Sequence, residues 1–332
     1  MKSIQSALFS IILFSLGTFW TGTATSTSRS LQNTVPSVVV SITPFYALVA
    51  AVMEGVGAPK LLVKPGASPH EYALRPSDIL LLQDAELIFW GGPQLETFLV
   101  KPLNTLKAHS EAHHIVEFDN APGLLLLPIR HSTAWDLHEH EHGNGNGHTH
   151  EVLDNDKSSQ DMHFWLNPNN AIILTDIIVH HLAMIDVKHT HIYKKNGTQL
   201  KQRLKKLDAH IATELATVKT ISYIVFHDAY QYFEQRYGLK GVGSITLNPE
   251  IPPSAKRLNT IRTTIEKSKA QCVFREPQFQ PKLVDSIVVD LGVKTGELDP
   301  IGQASQNNSE GYFTLLENLA HAIKQCLSSV QK

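Results

Sequence analysis

A single apolar stripe constrains this chain more than any other feature. Leu200, Leu204, Leu207, Ile211, Leu215 and Val218 recur at spacings of three or four, which is one face of an amphipathic helix reaching back to about Tyr193. The stretch carries no Pro, and no Gly after Gly197, so the helix is predicted to be long and stiff. Strand-like and helical patterns alternate on both sides of it. Before it, strands are predicted over 38–42, 60–63, 87–90 and 115–118, with helices over 44–54, 76–84, 94–106 and 170–185. After it, strands are predicted over 222–226, 242–245, 271–274 and 293–298, with helices over 229–237, 253–269, 281–291 and 311–327. Strand followed by helix, repeated, implies βαβ units and parallel sheets. The expected fold is therefore α/β: two (βα)4-type lobes joined by one long rigid linking helix. The first lobe is assigned to 34–185, the linking helix to 186–220 and the second lobe to 221–332. Packing across both lobes explains the single apolar face better than a coiled coil does. The architecture is duplicated, although no sequence repeat is visible.

Composition narrows the function classes. With 332 residues, 42% hydrophobic and 18% charged, the chain can bury a core, which excludes wholesale disorder. Lys plus Arg is 29 and Asp plus Glu 31, so no basic excess draws in nucleic acid. Two Cys are too few for a disulfide scaffold or a four-cysteine zinc site. The anomaly is 18 His against 13 Phe.

The N-terminus has the layout of a secretory signal peptide. Lys2 precedes an apolar run from Ala7 to Trp20, and the small residues Gly22, Thr23 and Ala24 follow. Ser10, Ser15, Gly17 and Thr18 interrupt the run, which is shorter than the roughly 20 residues that span a bilayer. Residues 1–24 are read as a cleaved signal, with an uncleaved anchor as the alternative. No Cys lies near the cleavage zone to take a lipid, and no second run of spanning length follows. The mature protein is expected to be exported without a direct membrane anchor. Its Cys272 and Cys326 would then lie in an oxidising compartment.

Between 131 and 160 the alternation fails. His138, His140, His142, His148 and His150 are interleaved with Glu139, Glu141, Gly143, Gly145 and Gly147. Such composition cannot pack a core, so a mobile His-rich loop with weak auxiliary metal affinity is expected. His138-Glu139 and His142 also satisfy H-E-x-x-H, the zincin motif. That motif works on a helix, whereas this one runs into Gly-Asn-Gly-Asn-Gly.

Open α/β sheets bind ligands beyond the carboxyl ends of their strands. Four metal-capable residues fall at such places or beside the linking helices: His70, His163, His227 and Asp299. Three imidazoles and a carboxylate suit zinc, which takes N and O ligands tetrahedrally. Each alone reads more readily as a capping or core His, or as a turn-forming Asp. Together they occupy the sites that this architecture reserves for ligands.

Those segments resemble a known family. Pro65-Gly66-Ala67-Ser68-Pro69-His70-Glu71-Tyr72 and the residues through Asp78 are similar to the signature of the cluster A-I (zinc/manganese) solute receptors of ABC importers. Asp161-Met162-His163-Phe164-Trp165-Leu166-Asn167-Pro168 resembles the family's Asp-x-His-x-Trp-Leu-Asp/Asn-Pro motif. Phe226-His227-Asp228-Ala229-Tyr230 and Leu298-Asp299-Pro300 resemble its third and fourth ligand segments, and Gly91-Gly92-Pro93-Gln94-Leu95-Glu96 its glycine turn. The resemblance covers about residues 38–330. It implies one metal in the interlobe cleft, held by His70, His163, His227 and Asp299. His at the third position, and a His-rich acidic loop before the second, mark the zinc branch. The cargo is then Zn2+, the compartment the periplasm, and the partner the membrane permease of a zinc ABC importer, met by a monomer. Pro69 stands where some zinc receptors carry an acid, so Asp299 or water is left as the fourth ligand. The resemblance also implies a Cys272–Cys326 disulfide, with two buried thiols as the alternative. A zinc-dependent hydrolase and a surface adhesin of the same fold are the competing functions.

Overall fold

The central strands of each half, Val38–Val40, Leu87–Trp90, Tyr223–His227 and Cys272–Arg275, are short, rich in β-branched or aromatic residues and almost wholly buried, as central strands of parallel sheets must be. The computed structural model describes residues 35–109, 112–130, 135, 160–247, 249, 251–279, 282–303 and 308–328. The signal segment 1–24 and the loop residues His138, His140, His142, His148 and His150 lie outside the described residues.

The first half runs β1 (Val38–Val40), α1 (Thr43–Met53), β2 (Lys60–Leu61), α2 (Pro76–Gln83), β3 (Leu87–Trp90), α3 (Thr97–His109) and β4 (His114–Glu117). A small antiparallel pair follows, β5 (Leu127–Pro128) with β6 (Gln160–Asp161). Then come α4 (Pro168–Ile185) and the long α5 (Thr190–Leu215). The second half runs β7 (Tyr223–His227), α6 (Gln231–Tyr237), β8 (Gly241–Thr246), α7 (Ala255–Ser268), β9 (Cys272–Arg275), α8 (Lys282–Val288), β10 (Lys294–Glu297) and α9 (Gly311–Ser328).

Both main sheets are four-stranded and parallel, ordered β2-β1-β3-β4 and β8-β7-β9-β10. Counted within its own half, each reads second-first-third-fourth, so the duplication extends to strand order. The switch point of each sheet lies between its first and third strands, where such sheets open a crevice.

Side chains alternate across each sheet with period two. In the first, Val38, Val40, Leu87 and Phe89 face one side and Val39, Ile88 and Trp90 the other. In the second, Tyr223 and Val225 face one side and Ile224 and Phe226 the other. The first set from each sheet joins one continuous core with α1, α5 and α9, so the two halves share a hydrophobic centre. Leu200, Leu204, Leu207, Ile211 and Leu215 of the α5 stripe are all buried there, each worth roughly 1.5–3 kcal/mol relative to exposure. The helix packs against α1, α4, α6 and α9. Gly197 permits the α4 contact, because a Cβ there would come within 2.5 Å of Val179 Cγ2.

Several boundaries differ from the sequence expectation. The long helix starts at Thr190, because Asp186 first closes a separate 3-10 turn, accepting hydrogen bonds from Tyr193 Oη and His189 Nδ1, each at 2.7 Å. Helix α3 starts at Thr97 rather than 94, because Glu96 is held back by the glycine turn: its Oε2 accepts from Gly91 N at 2.7 Å. Strand β7 extends one residue further than expected, to include His227. Cys272 and Cys326 form a disulfide with Cα atoms 6.1 Å apart, tying β9 to α9.

Candidate metal site

Three imidazoles meet between the two halves. His70 sits in the turn that follows β2; its backbone N–H donates to Ser68 Oγ at 3.2 Å. His163 lies two residues past β6 and opens the 3-10 turn Phe164–Leu166. His227 ends β7, at the switch point of the second sheet. Ring centroids are 5.2 Å apart for His163–His227, 5.5 Å for His70–His163 and 5.9 Å for His70–His227. Each ring presents one nitrogen, and these three atoms all lie within 4.8 Å of one another. Among the described residues no other group of His, Cys, Asp and Glu does this.

Carboxylates orient two of the rings. Asp161 Oδ1 lies 2.7 Å from His163 Nδ1 and accepts from His163 N at 3.0 Å. Glu276 Oε1 lies 2.7 Å from His227 Nδ1. With Nδ1–H donating to a carboxylate, Nε2 is left as a bare lone pair, the form that ligates metal. The two Nε2 atoms then face each other across 3.3 Å. Two nitrogens each 2.0–2.1 Å from a tetrahedral zinc are about 3.3–3.4 Å apart, so the pair already has that bite.

The electrostatics agree with a cation site. Burial, and then the neighbouring His163 and His227, hold His70 well below the ordinary imidazole pKa, so it is neutral and free to ligate. Burial, the largest influence, would also lower His227, but the Glu276, Asp228 and Asp161 carboxylates together outweigh it and the net shift is upward. Trp165, Phe279, Pro300 and Ile301 wall the cluster on one side. On the other, His70 and His163 border an open groove of about 330 Å³ that also touches Gln94, Arg130, Asp161 and Asp228. Arg130 pairs there with Glu234 at 2.5 Å and lies 3.7 Å from Asp228. Burial pushes the Asp228 carboxyl up to about 7.

The structure brings together His70, His163 and His227 of the residues singled out by sequence, and keeps Asp299 outside the group. The Asp299 carboxylate caps the turn after β10, accepting from Gln278 Nε2 at 2.8 Å, Ile301 N at 3.1 Å, Gly302 N at 3.0 Å and Gln303 N. Sequence reasoning missed Glu276. The signal was available: Glu276 directly follows β9, the strand beside β7 at the same switch point, so the strand-end rule that selected His227 also selects it.

Comparison with known proteins gives a consistent result. The sequence model of the family "Zinc-uptake complex component A periplasmic" matches residues 38–326. The chain is 42% identical to the high-affinity zinc uptake system protein ZnuA of Brucella suis over 90% of this chain and 94% of the relative. It is 36% identical to the protein of the same name from Yersinia pestis, over 88% and 91% of the two chains. A crystal structure of ZnuA superposes with a TM-score of 0.72 at 22% identity, covering 89% of this chain and all of that one. A laminin-binding adhesin of Streptococcus agalactiae shares the fold with a TM-score of 0.69 at 23% identity, over 88% of this chain and 99% of that one. The family match spans nearly every described element, and the three histidines fall inside it: the chain belongs to the periplasmic zinc-uptake complex component A family.

Proposed function

We propose that this protein is a periplasmic zinc receptor: it captures Zn2+ between its lobes and delivers it, as a monomer, to the permease of an ABC-type zinc importer in the inner membrane. The observation that carries the reading is the facing pair of Nε2 atoms, 3.3 Å apart and backed by carboxylates, with His70 completing the set. The metal ligands are His70, His163 and His227, drawn from the lobes 34–185 and 221–332 on either side of the 186–220 link. Asp299 becomes the fourth ligand only by leaving the four donors it now caps; otherwise water completes the tetrahedron. Capture and release, not catalysis, is the role assigned to the site, in line with the zinc-uptake relatives.

Zinc titration of protein lacking residues 136–156 tests the placement. The His-rich segment is expected to hold only weak zinc, so its deletion should remove weak equivalents and keep one tight one. Loss of the tight equivalent would move the site into the loop. Export is tested separately by N-terminal sequencing of the periplasmic protein. Cleavage near Ala24 is expected, and a retained Met1 would contradict it.

A further inference from the structure

The three imidazoles carry no charge when they bind zinc, so a buried dication would be left uncompensated unless carboxylates stand close by. Asp299, the acid expected to do this from within the metal's own ligand set, is turned into a cap. Two other carboxylates reach the ligands instead. Asp161 does so from two residues before His163, on the same strand and turn. Glu276 does so from a different strand, 49 residues from His227 in sequence, with a side chain only 1% exposed.

We infer that Glu276 is the positioning residue that sets zinc capture in this protein, by locking His227 in the Nδ1–H form with its Nε2 aimed at the metal. This rests on the zinc-receptor reading above and adds to it a residue that never touches the metal. Three observations support it. Glu276 Oε1 lies near both the ring nitrogen of His227, at 2.7 Å, and its backbone N, at 3.4 Å, so one oxygen fixes both ring and main chain. The carboxylate is anchored at the end of β9, which pairs directly with β7, so the spacing between acid and imidazole is fixed by the sheet. The His227 ring also meets Phe279 edge-on, with centroids 6.3 Å apart, and Phe279 in turn stacks on Phe226 at 4.9 Å, so the ring has little freedom to turn away. Without the acid, either nitrogen of His227 can carry the proton, and the Nε2–H form blocks ligation. Such a lock favours a metal that uses imidazole at a fixed tetrahedral bite over one that prefers six oxygens, so zinc gains more from it than manganese.

The test uses the full-length mature protein in four forms: unchanged, Glu276→Gln, Glu276→Asp and His227→Ala. Zinc and manganese affinities are measured by competition with chromogenic chelators. The tautomer of His227 in metal-free protein is read from long-range proton–nitrogen NMR correlations. Glu276→Gln is expected to weaken zinc about 10–100-fold, the usual effect of losing an orienting partner. It should also narrow the zinc-to-manganese ratio and give His227 a mixed tautomer. Glu276→Asp keeps the charge but withdraws it by one methylene, and should fall between the two; it also serves if Glu276→Gln does not fold. Zinc affinity unchanged in both Glu276 variants, or weakened with the His227 tautomer still wholly Nδ1–H, would overturn the inference. Failure of the receptor reading looks different: there His227→Ala itself would leave zinc binding intact.

Discussion

A His227→Ala variant of the protein lacking residues 136–156 is expected to lose tight zinc binding. The loss should exceed the roughly 10–100-fold that removal of an orienting partner causes, because a ligand itself is gone. His227 and His163 supply an Nε2 pair already at a tetrahedral bite. Removing one member leaves His70 and His163, which come from the first half alone, so the metal no longer bridges the halves. Thermal unfolding should report this as well. Zinc at a thousand times its dissociation constant stabilises the unchanged protein by about 4 kcal/mol through mass action, and the variant should show almost none of that gain. Asp299→Ala should be far milder, since its carboxylate is occupied in a turn that water can partly replace. Tight binding that survives His227→Ala would remove both the site and the preference for zinc.

Replacing Cys272 and Cys326 together by serine is expected to lower stability by about 4 kcal/mol. The bond closes a loop with a sequence separation of 54, and constraining a chain of that length in the unfolded state accounts for the figure. Both sulfurs are buried, Cys272 fully, so the bond also staples β9 to α9 inside the shared core. Urea unfolding with and without reductant measures the loss. Zinc affinity should barely change, because Cys272 begins β9 whereas Glu276 follows its other end. Two reactive thiols in the denatured, unreduced chain would rule the bond out.

Much of this was legible in the residues. Short apolar runs alternating with helical patterns implied two parallel sheets, and the spacing of three or four from Leu200 to Leu215 implied the helix that packs on both. The meeting of His70, His163 and His227 was legible because strand ends and their turns converge on one crevice in such sheets. Asp299 occupies an equivalent position after β10, yet its carboxylate turns back to meet the backbone N–H groups of Ile301, Gly302 and Gln303. An Asp followed by Pro, with Gly three residues on, is a turn former as readily as a ligand, and local hydrogen bonds decide between the two. The continuous core was not legible either. A strand sequence shows that both its faces are apolar, but not that one face of each sheet shares a layer of helices with the other. The Arg130–Glu234–Asp228 cluster was invisible for the same reason: it joins a segment after β5 to α6 and the end of β7, more than ninety residues away.

The most direct test is a crystal structure of the zinc-loaded protein lacking residues 136–156, with diffraction recorded on both sides of the zinc absorption edge. One anomalous peak is expected between the lobes, about 2.0–2.1 Å from a nitrogen of each of His70, His163 and His227. His163 and His227 should bind through Nε2, with Asp161 and Glu276 still on their Nδ1 atoms. A single full-occupancy peak elsewhere, or one that touches fewer than three of these imidazoles, would contradict the account.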